Sequence, residues 1–513
     1  MKIDRTKKVF YNSIANGIYQ VVLLVSGLIL PRFILVAFGS AYNGLVTSLT
    51  QFLGITEVLT MGLAGTARVE LYKSLAYGDT KRTSGIVKAV SRYMYKAAGV
   101  FLIYMIALLF IYPKFAKGDF AFQEIASLLI IIGVGNIITY VCGYAYNVLL
   151  DADNTVFFFT LLKTFLTIVN VAISIMLIRG GYSIQTVKLA SGILFAIGPI
   201  FLFFVVPRMY KLDAKAPADD SWKKNRKYAA ANSVALIIHE NTDAALLTIL
   251  TSTKTVSVYS VYYLVIKGLK GILAVFTASM EPLFGAMWAK NEIDEMEATL
   301  THYEYFIGFF VSISLSSAMG LILPFVALYT KGVTDIEYIL PVFAFITIMA
   351  ELARCIRIPY LTVVQAAGKY KETQAGAFIE AGLNILTSIV LTIRFGIVGV
   401  VIGTLIANLF RTMNYSWFVS KHLLNRSIKK TFQLLAWSLF NILINSRVFA
   451  LICTAIGLDI VSWYTWGIGA VIIVALSLVE VLVTSFVFYR SDLAWLGQYA
   501  KRIVSKFGKK VKK

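Results

Sequence analysis

The sequence predicts an all-α, polytopic membrane protein with about 14 transmembrane helices, arranged as two parallel six-helix lobes plus two extra C-terminal helices. Three observations support this fold class. Hydrophobic residues make up 58% of the 513 residues, and the mean hydropathy is +0.76. Only 15% of the residues are charged, which is too few for the surface of a soluble domain. Apolar runs that can cross a hydrocarbon core about 30 Å thick recur along the whole chain.

The apolar segments follow one another with short loops between them. They span residues 11–38, 42–66, 92–112, 122–148, 156–179, 184–207, 228–250, 256–280, 302–330, 337–364, 371–394, 396–420, 431–457 and 463–489. The first is too long for the apolar region of a signal peptide and precedes no small-residue cleavage site, so we expect an uncleaved first helix. A β-barrel would instead alternate apolar and polar residues in runs of about ten.

The distribution of positive charge supports this count. With the N-terminus inside, the cytoplasmic loops collect Lys and Arg, as in KRTSGIVKAVSR, GKYKE and KHLLNRSIKK. The outside loops FGSAYNG, TSTKTVS, RFG and GLDIVSW hold two basic residues between them. We therefore expect a cell (cytoplasmic) membrane protein with both termini cytoplasmic. The net charge of +21 follows these loops and the basic tail, so we expect no nucleic-acid partner.

An internal repeat predicts how the chain is divided. Segment 169–184 (VNVAISIMLIRGGYSI) resembles segment 383–398 (LNILTSIVLTIRFGIV), at offsets of 214 and 215. Six helices are an even number, so a duplicated six-helix unit enters the membrane twice in the same direction. The predicted divisions are an N-terminal lobe over 1–210, a basic cytoplasmic linker over 211–227, a C-terminal lobe over 228–420, two additional helices over 421–489 and a basic cytoplasmic tail over 490–513.

Several stretches of the sequence resemble one transporter family. They are NSIANGIYQVVLLVSGLILPRFIL, GITEVLTMGLAGTARVELYKSLAYGD, NTDAALLTIL followed by VSVYSVYYLV, and TVVQAAGKYKETQ with RFGIVGVVIGTLIAN. With these motifs the chain resembles the polysaccharide transporter (oligosaccharide/O-antigen flippase) family of the multidrug/oligosaccharidyl-lipid/polysaccharide (MOP) exporter superfamily. The resemblance covers most of residues 1–420. Its motifs are degenerate and describe a fold family better than a substrate.

The resemblance implies a flippase rather than an enzyme. The expected activity moves polyprenyl-diphosphate-linked oligosaccharide from the inner to the outer leaflet by alternating access, for cell-surface polysaccharide biosynthesis. The expected partners are undecaprenyl-diphosphate-linked oligosaccharide, membrane lipids, a coupling H⁺ or Na⁺, and polysaccharide polymerase or assembly proteins. No cofactor is expected.

Three alternatives stay open at this stage. Fourteen helices are also similar to the lipid II flippases of the same superfamily, which handle the peptidoglycan precursor. A multidrug/cation antiporter would need an acidic cavity, whereas cations outnumber anions at membrane depth here. An integral-membrane polysaccharide polymerase is disfavoured because the outside loops are short and lack histidine.

Charged residues inside the apolar segments are the candidate functional residues. Each costs roughly 2.5–3.5 kcal/mol at a lipid-facing helix centre, so they must face a hydrated interior or one another. A diphosphate headgroup needs several cations, and the forked donors of Arg match phosphate oxygens. The candidates for this headgroup are Arg32, Lys267, Lys270, Arg354 and Arg357. Glu57 and Asp243 are the candidates for a coupling ion or for counter-charge to the cations.

The spacing of these residues leaves structural alternatives. Arg354 and Arg357 could form a cytoplasmic gate, and Arg354 could pair with Glu351 one turn earlier. Arg411 and Arg447 are interpreted as members of structural ion pairs. Pro31 removes a helix hydrogen bond and is expected to bend the first helix. Arg32, beside it, either attracts the headgroup or reaches to the outer interface.

Two motifs that suggest catalysis have simpler interpretations. The DAD motif (151–153) resembles a glycosyltransferase metal site but lies in a short turn, which favours a helix cap. The HENTD motif (239–243) lacks the second histidine of a zinc protease. The three cysteines are far apart in the sequence, which favours buried thiols over a disulfide framework. We therefore expect no metal site.

Overall fold

The computed structural model of the protein describes residues 5–116, 120–225, 241–277 and 280–498. Within these ranges the regular secondary structure is helical, and no strand is present. The all-α fold class predicted from the sequence is confirmed.

The helices of the N-terminal half are joined by short turns. They are α1 (Arg5–Gly54), α2 (Leu63–Ala76), α3 (Thr80–Phe115), α4 (Phe122–Ile138), α5 (Tyr144–Ala152), α6 (Phe157–Arg179) and α7 (Ile184–Met209). A 3₁₀ turn (Ile55–Thr60) follows α1, and a π-helical turn (Thr139–Gly143) joins α4 to α5. Residues 241–250 form α8.

The helices of the C-terminal half are also joined in sequence by turns and loops. They are α9 (Thr253–Thr277), α10 (Met280–Ala289), α11 (Ile293–Tyr329), α12 (Pro341–Ile356), α13 (Ile358–Ala366), α14 (Tyr370–Phe395), α15 (Ile397–Phe418), α16 (Lys429–Ala455) and α17 (Trp463–Phe488). A second π-helical turn (Val419–Leu423) extends α15, and residues 490–498 form α18.

Eleven helices of the described ranges are long and apolar enough to cross a membrane, so this is a multi-pass membrane protein. The other predicted spans have identifiable places. The first two share α1, which a backbone break at Gly39 divides. The span 337–364 is built from α12 and α13, each of them short. The span 228–250 is described only from residue 241.

Gly39 interrupts α1 because its backbone has φ +81°, a conformation that favours glycine. The helix resumes at Ser40, whose N–H and Oγ both donate to the Asp335 carboxylate. This carboxylate satisfies a donor that the start of a helix leaves without a partner. By contrast, α1 stays helical through Pro31, and Gly39 is the non-helical residue within it. The break therefore lies eight residues beyond the proline at which we expected a bend.

The chain divides into two compact units. The first unit comprises Met1–Ser260 and Gly332–Ile336, and the second comprises Val261–Lys331 and Glu337–Lys513. The five predicted domain divisions stay a prediction. The core of the first unit includes Leu49, Phe101, Leu128 and Trp222, each at most 1% exposed.

The linker after α7 packs on the first unit. The N–H of Asp219 donates to the carbonyl of Gly85 on α3 at 3.0 Å, and Trp222 is buried against Tyr93. A Cβ atom on Gly85 would meet the carbonyl oxygen of Pro217 at 2.5 Å, so glycine permits this close approach. The linker is thus docked rather than extended.

The sequence repeat falls on corresponding positions of α6 and α14. Asn170 and Ser174 are buried on α6, and Asn384 and Ser388 are buried on α14. Each asparagine precedes its serine by one helical turn. In each unit, the repeat therefore supplies a small polar pair to the inner face of a helix.

Candidate functional site

The predicted site residues fall in both units. Lys267, Lys270, Arg354 and Arg357 belong to the second unit. The other three, Arg32, Glu57 and Asp243, belong to the first.

A cavity of about 250 Å³ in the second unit brings two of the predicted cations together. Helices α9, α10, α12 and α13 form its wall. The lining residues are Lys270, Leu273, Ala274, Thr277, Glu281, Arg354, Ile358, Leu361, Thr362 and Gln365. Lys270 and Arg354 therefore converge on one space although 84 residues separate them in the chain.

Lys270 is held against Tyr263, two turns earlier on α9. Its Nζ donates to the Tyr263 hydroxyl at 2.9 Å and lies 5.1 Å from the centre of that ring. The Nζ of Lys267 lies 5.4 Å from the same ring, but Lys267 is exposed and is not among the residues that line the cavity. One aromatic ring thus neighbours both lysines, and only Lys270 reaches the cavity wall.

Arg354 is positioned by Glu351, one turn earlier on α12. Its Nε donates to the two carboxylate oxygens at 3.0 and 2.9 Å, and its Nη2 donates to the same carboxylate. The Glu351 side chain is 5% exposed and that of Arg354 is 17% exposed. The pairing that the spacing of these residues allowed is confirmed. This bidentate geometry fixes the guanidinium at the cavity wall.

Arg357 lies in a different environment. It pairs with Glu380 of α14, which also accepts from Nε of Arg411 at 3.3 Å. Arg411 in turn lies 3.8 Å from the ring centre of Tyr415 and donates to its hydroxyl at 2.6 Å. The interpretation of Arg411 as a structural residue is confirmed. Arg357 is not among the residues that line the cavity described above. Its role in headgroup binding stays a prediction.

Sequence reasoning missed Glu281. It is the second residue of α10 and lies one residue beyond the predicted span 256–280, so it was not counted among the residues at membrane depth. In the structure, Glu281 lines the cavity together with Lys270 and Arg354. The cavity therefore carries an acid as well as two cations, and it can favour a ligand that has both anionic and hydroxyl groups.

The predicted residues of the first unit lie in separate places. Arg32 is half-buried on α1, and Glu57 is exposed in the 3₁₀ turn after α1. Asp243 is buried on α8, where Oδ2 accepts from the hydroxyl of Tyr259 at 3.3 Å. The roles of Glu57 and Asp243 in ion coupling stay predictions.

The DAD motif is part of a set of ion pairs at helix ends. Asp153 accepts from Nζ of Lys8 at 3.0 Å and from the hydroxyl of Tyr210 at 2.7 Å, and Asp151 pairs with Arg68. These contacts agree with the interpretation of the motif as a turn. In HENTD, His239 and Glu240 lie outside the described residues.

Solved membrane proteins share this fold. The chain matches the lipid II flippase MurJ in an inward closed conformation with a TM-score of 0.62 and 16% identity, covering 94% of this chain and 99% of that chain. It matches an inward-facing multidrug resistance MATE family transporter of the MOP superfamily with a TM-score of 0.57 and 14% identity, covering 83% and 96%. For a MATE in complex with MaL6, the TM-score is 0.56 and the identity 13%, covering 84% and 98%.

At these identities the likeness concerns the fold, which is the MATE/MOP-like fold that the sequence predicts. The chain matches no protein-family model and no curated protein sequence.

Proposed function

We propose that this protein is a flippase that moves polyprenyl-diphosphate-linked oligosaccharide from the inner to the outer leaflet of the cytoplasmic membrane by alternating access. Its product would serve cell-surface polysaccharide biosynthesis. The convergence of Lys270 and Arg354 on one cavity is the observation that carries this proposal. The protein acts as a transporter and not as an enzyme, and both of its termini lie on the cytoplasmic side.

The cavity has the chemistry that a sugar diphosphate needs. Lys270 lines the cavity and offers a flexible ammonium, which also donates to the Tyr263 hydroxyl. Arg354 offers a planar fork whose orientation is fixed by Glu351. Thr277, Thr362 and Gln365 supply neutral hydrogen-bonding groups that suit sugar hydroxyls. Two of the three charged residues that line this cavity, Lys270 and Arg354, would repel an organic cation, which disfavours a drug antiporter.

The additional helices favour a lipid-linked substrate. The match to the lipid II flippase covers 94% of this chain, whereas the match to the multidrug transporter covers 83%. Helices α16 and α17 follow the part of the chain for which we predict two six-helix lobes. This observation also supports a second candidate function, the translocation of lipid II itself.

The membrane potential acts on the charge of a diphosphate as it crosses the bilayer. A membrane potential that is negative inside favours the outward movement of an anion by about 2.3 kcal/mol per charge per 100 mV, and it also favours the inward return of positive charge on the empty carrier. A coupled cation would enter during the return step, and Glu57 and Asp243 stay the predicted sites for it.

The test is translocation of a fluorescent undecaprenyl-diphosphate oligosaccharide in proteoliposomes, measured with an external quencher that does not cross the bilayer. The wild type is compared with Lys270→Ala and with Lys371→Ala, a control at an exposed lysine at the start of α14. A hydrogen bond to a charged group contributes about 1.5–3 kcal/mol, so Lys270→Ala should slow translocation roughly ten- to one-hundred-fold. Lys371→Ala should match the wild type.

Other outcomes would contradict parts of the proposal. Equal rates for the wild type and Lys270→Ala, with both proteins folded, would remove Lys270 from the mechanism. A wild type that moves lipid II but not the oligosaccharide lipid would select the second candidate. A wild type that moves neither lipid but transports a drug cation would overturn the substrate class.

A further inference from the structure

A polar seam runs through the packing of α11, α16 and α17 in the second unit. Its members are small or amide side chains on the buried faces of otherwise apolar helices. They are Ser312 and Ser316 on α11, Ser438, Asn441 and Asn445 on α16, and Ser477 on α17, all 0% exposed. Thr484 and Glu480 of α17 flank this seam, on the side of α17 that faces α16.

The contacts of the three helices fix their register. The Thr484 hydroxyl donates to Asn441 Oδ1 at 2.9 Å, and Phe449 packs with Ile473. Residue numbers therefore rise along α16 as they fall along α17, so these helices run antiparallel. Asn445, one turn after Asn441, lies level with Glu480, one turn before Thr484.

Helix α11 has the same register against α17. The ring of Tyr305 lies 5.5 Å from that of Tyr489, and Leu321 packs with Ile473. Ser312 and Ser316 fall between these two contacts, at the levels of Glu480 and Ser477. Two turns of the three-helix packing therefore place serine, asparagine and glutamate side chains at similar levels along the helices.

The seam has unused hydrogen-bonding capacity. Across the described residues, several of its buried atoms have no hydrogen-bond partner. These atoms are Ser312 Oγ, Ser316 Oγ, Ser438 Oγ, Asn445 Oδ1, Ser477 Oγ and both carboxyl oxygens of Glu480. A buried polar atom without a partner costs about 1–3 kcal/mol, so such a concentration needs an explanation.

The charges around Glu480 do not compensate an ionised carboxylate. Glu480 lies about 12 Å along α17 from its end at Phe488, and α17 carries no other charged residue. Between Tyr305 and Tyr329, α11 carries no titratable side chain. On α16, Arg447 is exposed and lies about 160° around the helix from Asn445, so it is on the side away from the seam. Cys453 lies two turns after Asn445 along α16.

An ionised carboxylate in this place would cost several kcal/mol, whereas a neutral carboxyl would not. A serine hydroxyl can accept a hydrogen bond from a protonated carboxyl and can rotate to donate to a carboxylate. The seam is therefore suited to both protonation states of one acid. A metal cation would need several oxygens fixed around it, and here a single carboxylate is present.

We propose that Glu480 is a proton-binding site within the bilayer, that the seam around it stabilises both protonation states, and that its proton is the coupling ion of transport. The coupling role rests on the flippase function proposed above, and it would give Glu480 the place for which the sequence suggested Glu57 and Asp243. The proton-binding role rests on the seam alone.

The first test labels the purified full-length protein with a hydrophobic carbodiimide, which attacks protonated carboxyls in apolar surroundings, and locates the adduct by mass spectrometry. We expect an adduct on Glu480 whose yield falls as the pH is raised. Glu480→Gln should abolish this adduct, and Glu480→Asp should retain an adduct with a shifted midpoint. Glu372→Gln is the matched control, because Glu372 is an exposed acid at the start of α14.

Each other outcome of the labelling overturns the site. Labelling of other carboxyls while Glu480 stays unlabelled would show that Glu480 carries no proton in the bilayer. Protection of Glu480 by Na⁺ at constant pH would identify a sodium site instead. A yield that does not depend on pH would exclude reversible proton binding.

The second test measures lipid translocation in proteoliposomes with and without a pH gradient. We expect the gradient to accelerate the wild type and Glu372→Gln at least tenfold more than Glu480→Gln. Equal acceleration of Glu480→Gln would remove the coupling role and leave the proton site. A wild type that shows the adduct but moves no lipid would overturn the proposed function while the proton site stands.

Discussion

The two units use ion pairs in different ways. In the first unit the pairs lie at helix ends and are partly exposed, as for Lys8–Asp153 at 19% and 27%. The second unit has exposed local pairs as well, such as Lys369–Glu372, but it also has buried pairs between chain segments, as for Arg426–Glu304 at 3% and 6%. Exposed pairs contribute about 0–1 kcal/mol, whereas breaking a buried pair costs about 3–5 kcal/mol. The stability of the second unit should therefore depend on its charges much more than that of the first.

Buried ion pairs of the second unit lie next to the wall of the candidate cavity. The cavity of the second unit borders α12, where Glu351 holds Arg354, and α13, which follows Arg357 directly. Arg357 and Arg411 share the carboxylate of Glu380. The buried pairs thus define the positions of the helices that form the cavity wall.

The largest expected effect comes from Glu380→Gln. This change keeps the shape of the side chain but leaves Arg357 and Arg411 buried without their shared carboxylate. We expect a loss of roughly 3–5 kcal/mol, measured as a lower midpoint of thermal unfolding in detergent. Arg394→Ala, at an exposed arginine of the same helix, is the control. Equal midpoints for both variants would contradict the contrast between the units.

A second change separates packing from charge at the same pair of helices. Gly399 and Gly403 of α15 allow close approach to α14, and a Cβ on Gly403 would meet the backbone N of Ser388 at 2.7 Å. We expect Gly403→Ala to cost about 1–3 kcal/mol, through overpacking and not through charge. The control is Gly382→Ala on α14, where a Cβ meets nothing within 4 Å. If Gly403→Ala costs more than Glu380→Gln, packing and not charge fixes these helices.

The first unit should respond weakly to loss of an ion pair. Lys8→Ala removes the contact with Asp153, which keeps the hydrogen bond from the Tyr210 hydroxyl. We expect a change within about 1 kcal/mol, again from thermal unfolding. A loss as large as that of Glu380→Gln would remove the distinction between the units.

The smallest effect concerns the docked linker and its pH dependence. Burial raises the pKa of the Asp219 carboxyl, but hydrogen bonds from Ser221 and the charge and hydrogen bond of Arg82 outweigh burial, so the pKa lies below its ordinary value. The resulting stabilisation is present above the unfolded-state pKa of about 3.9 and is lost as the pH falls through the lower folded-state pKa. Asp219→Asn should therefore flatten the stability profile in this acid range, and an unchanged profile would exclude this contribution.

The membrane spans could be predicted from the sequence because long apolar runs are a local property. Local spacing also predicted the pairing of Glu351 with Arg354. Contacts between distant segments could not be predicted in this way. Glu380 joins Arg357 and Arg411 through three different helices, and Lys270 meets the cavity of Arg354 through α9 and α12. Glu281 was missed because it lies one residue beyond the predicted apolar run 256–280.

The polar seam has a consequence for the biosynthesis of the protein. Helix α16 leaves the ribosome before α17 and carries Asn441 and Asn445 on the face that α17 later covers. Their Nδ2 groups already donate to carbonyls one turn earlier in α16, at 2.8 and 3.1 Å. Before α17 is present, only the Oδ1 atoms of these two side chains lack a hydrogen bond, which lowers the free-energy cost of α16 standing alone in the membrane.

Helix α17 carries Glu480, a residue that disfavours release of an isolated helix into lipid. The polar residues at the level of Glu480 are on α16 and α11, which have already been synthesised when α17 emerges. The insertion machinery should therefore release α16 and α17 as a hairpin onto a finished α11. A chain that stops after α16 would expose Asn441 and Asn445 to lipid. Membrane proteases and chaperones could recognise such a truncated chain by these exposed polar side chains.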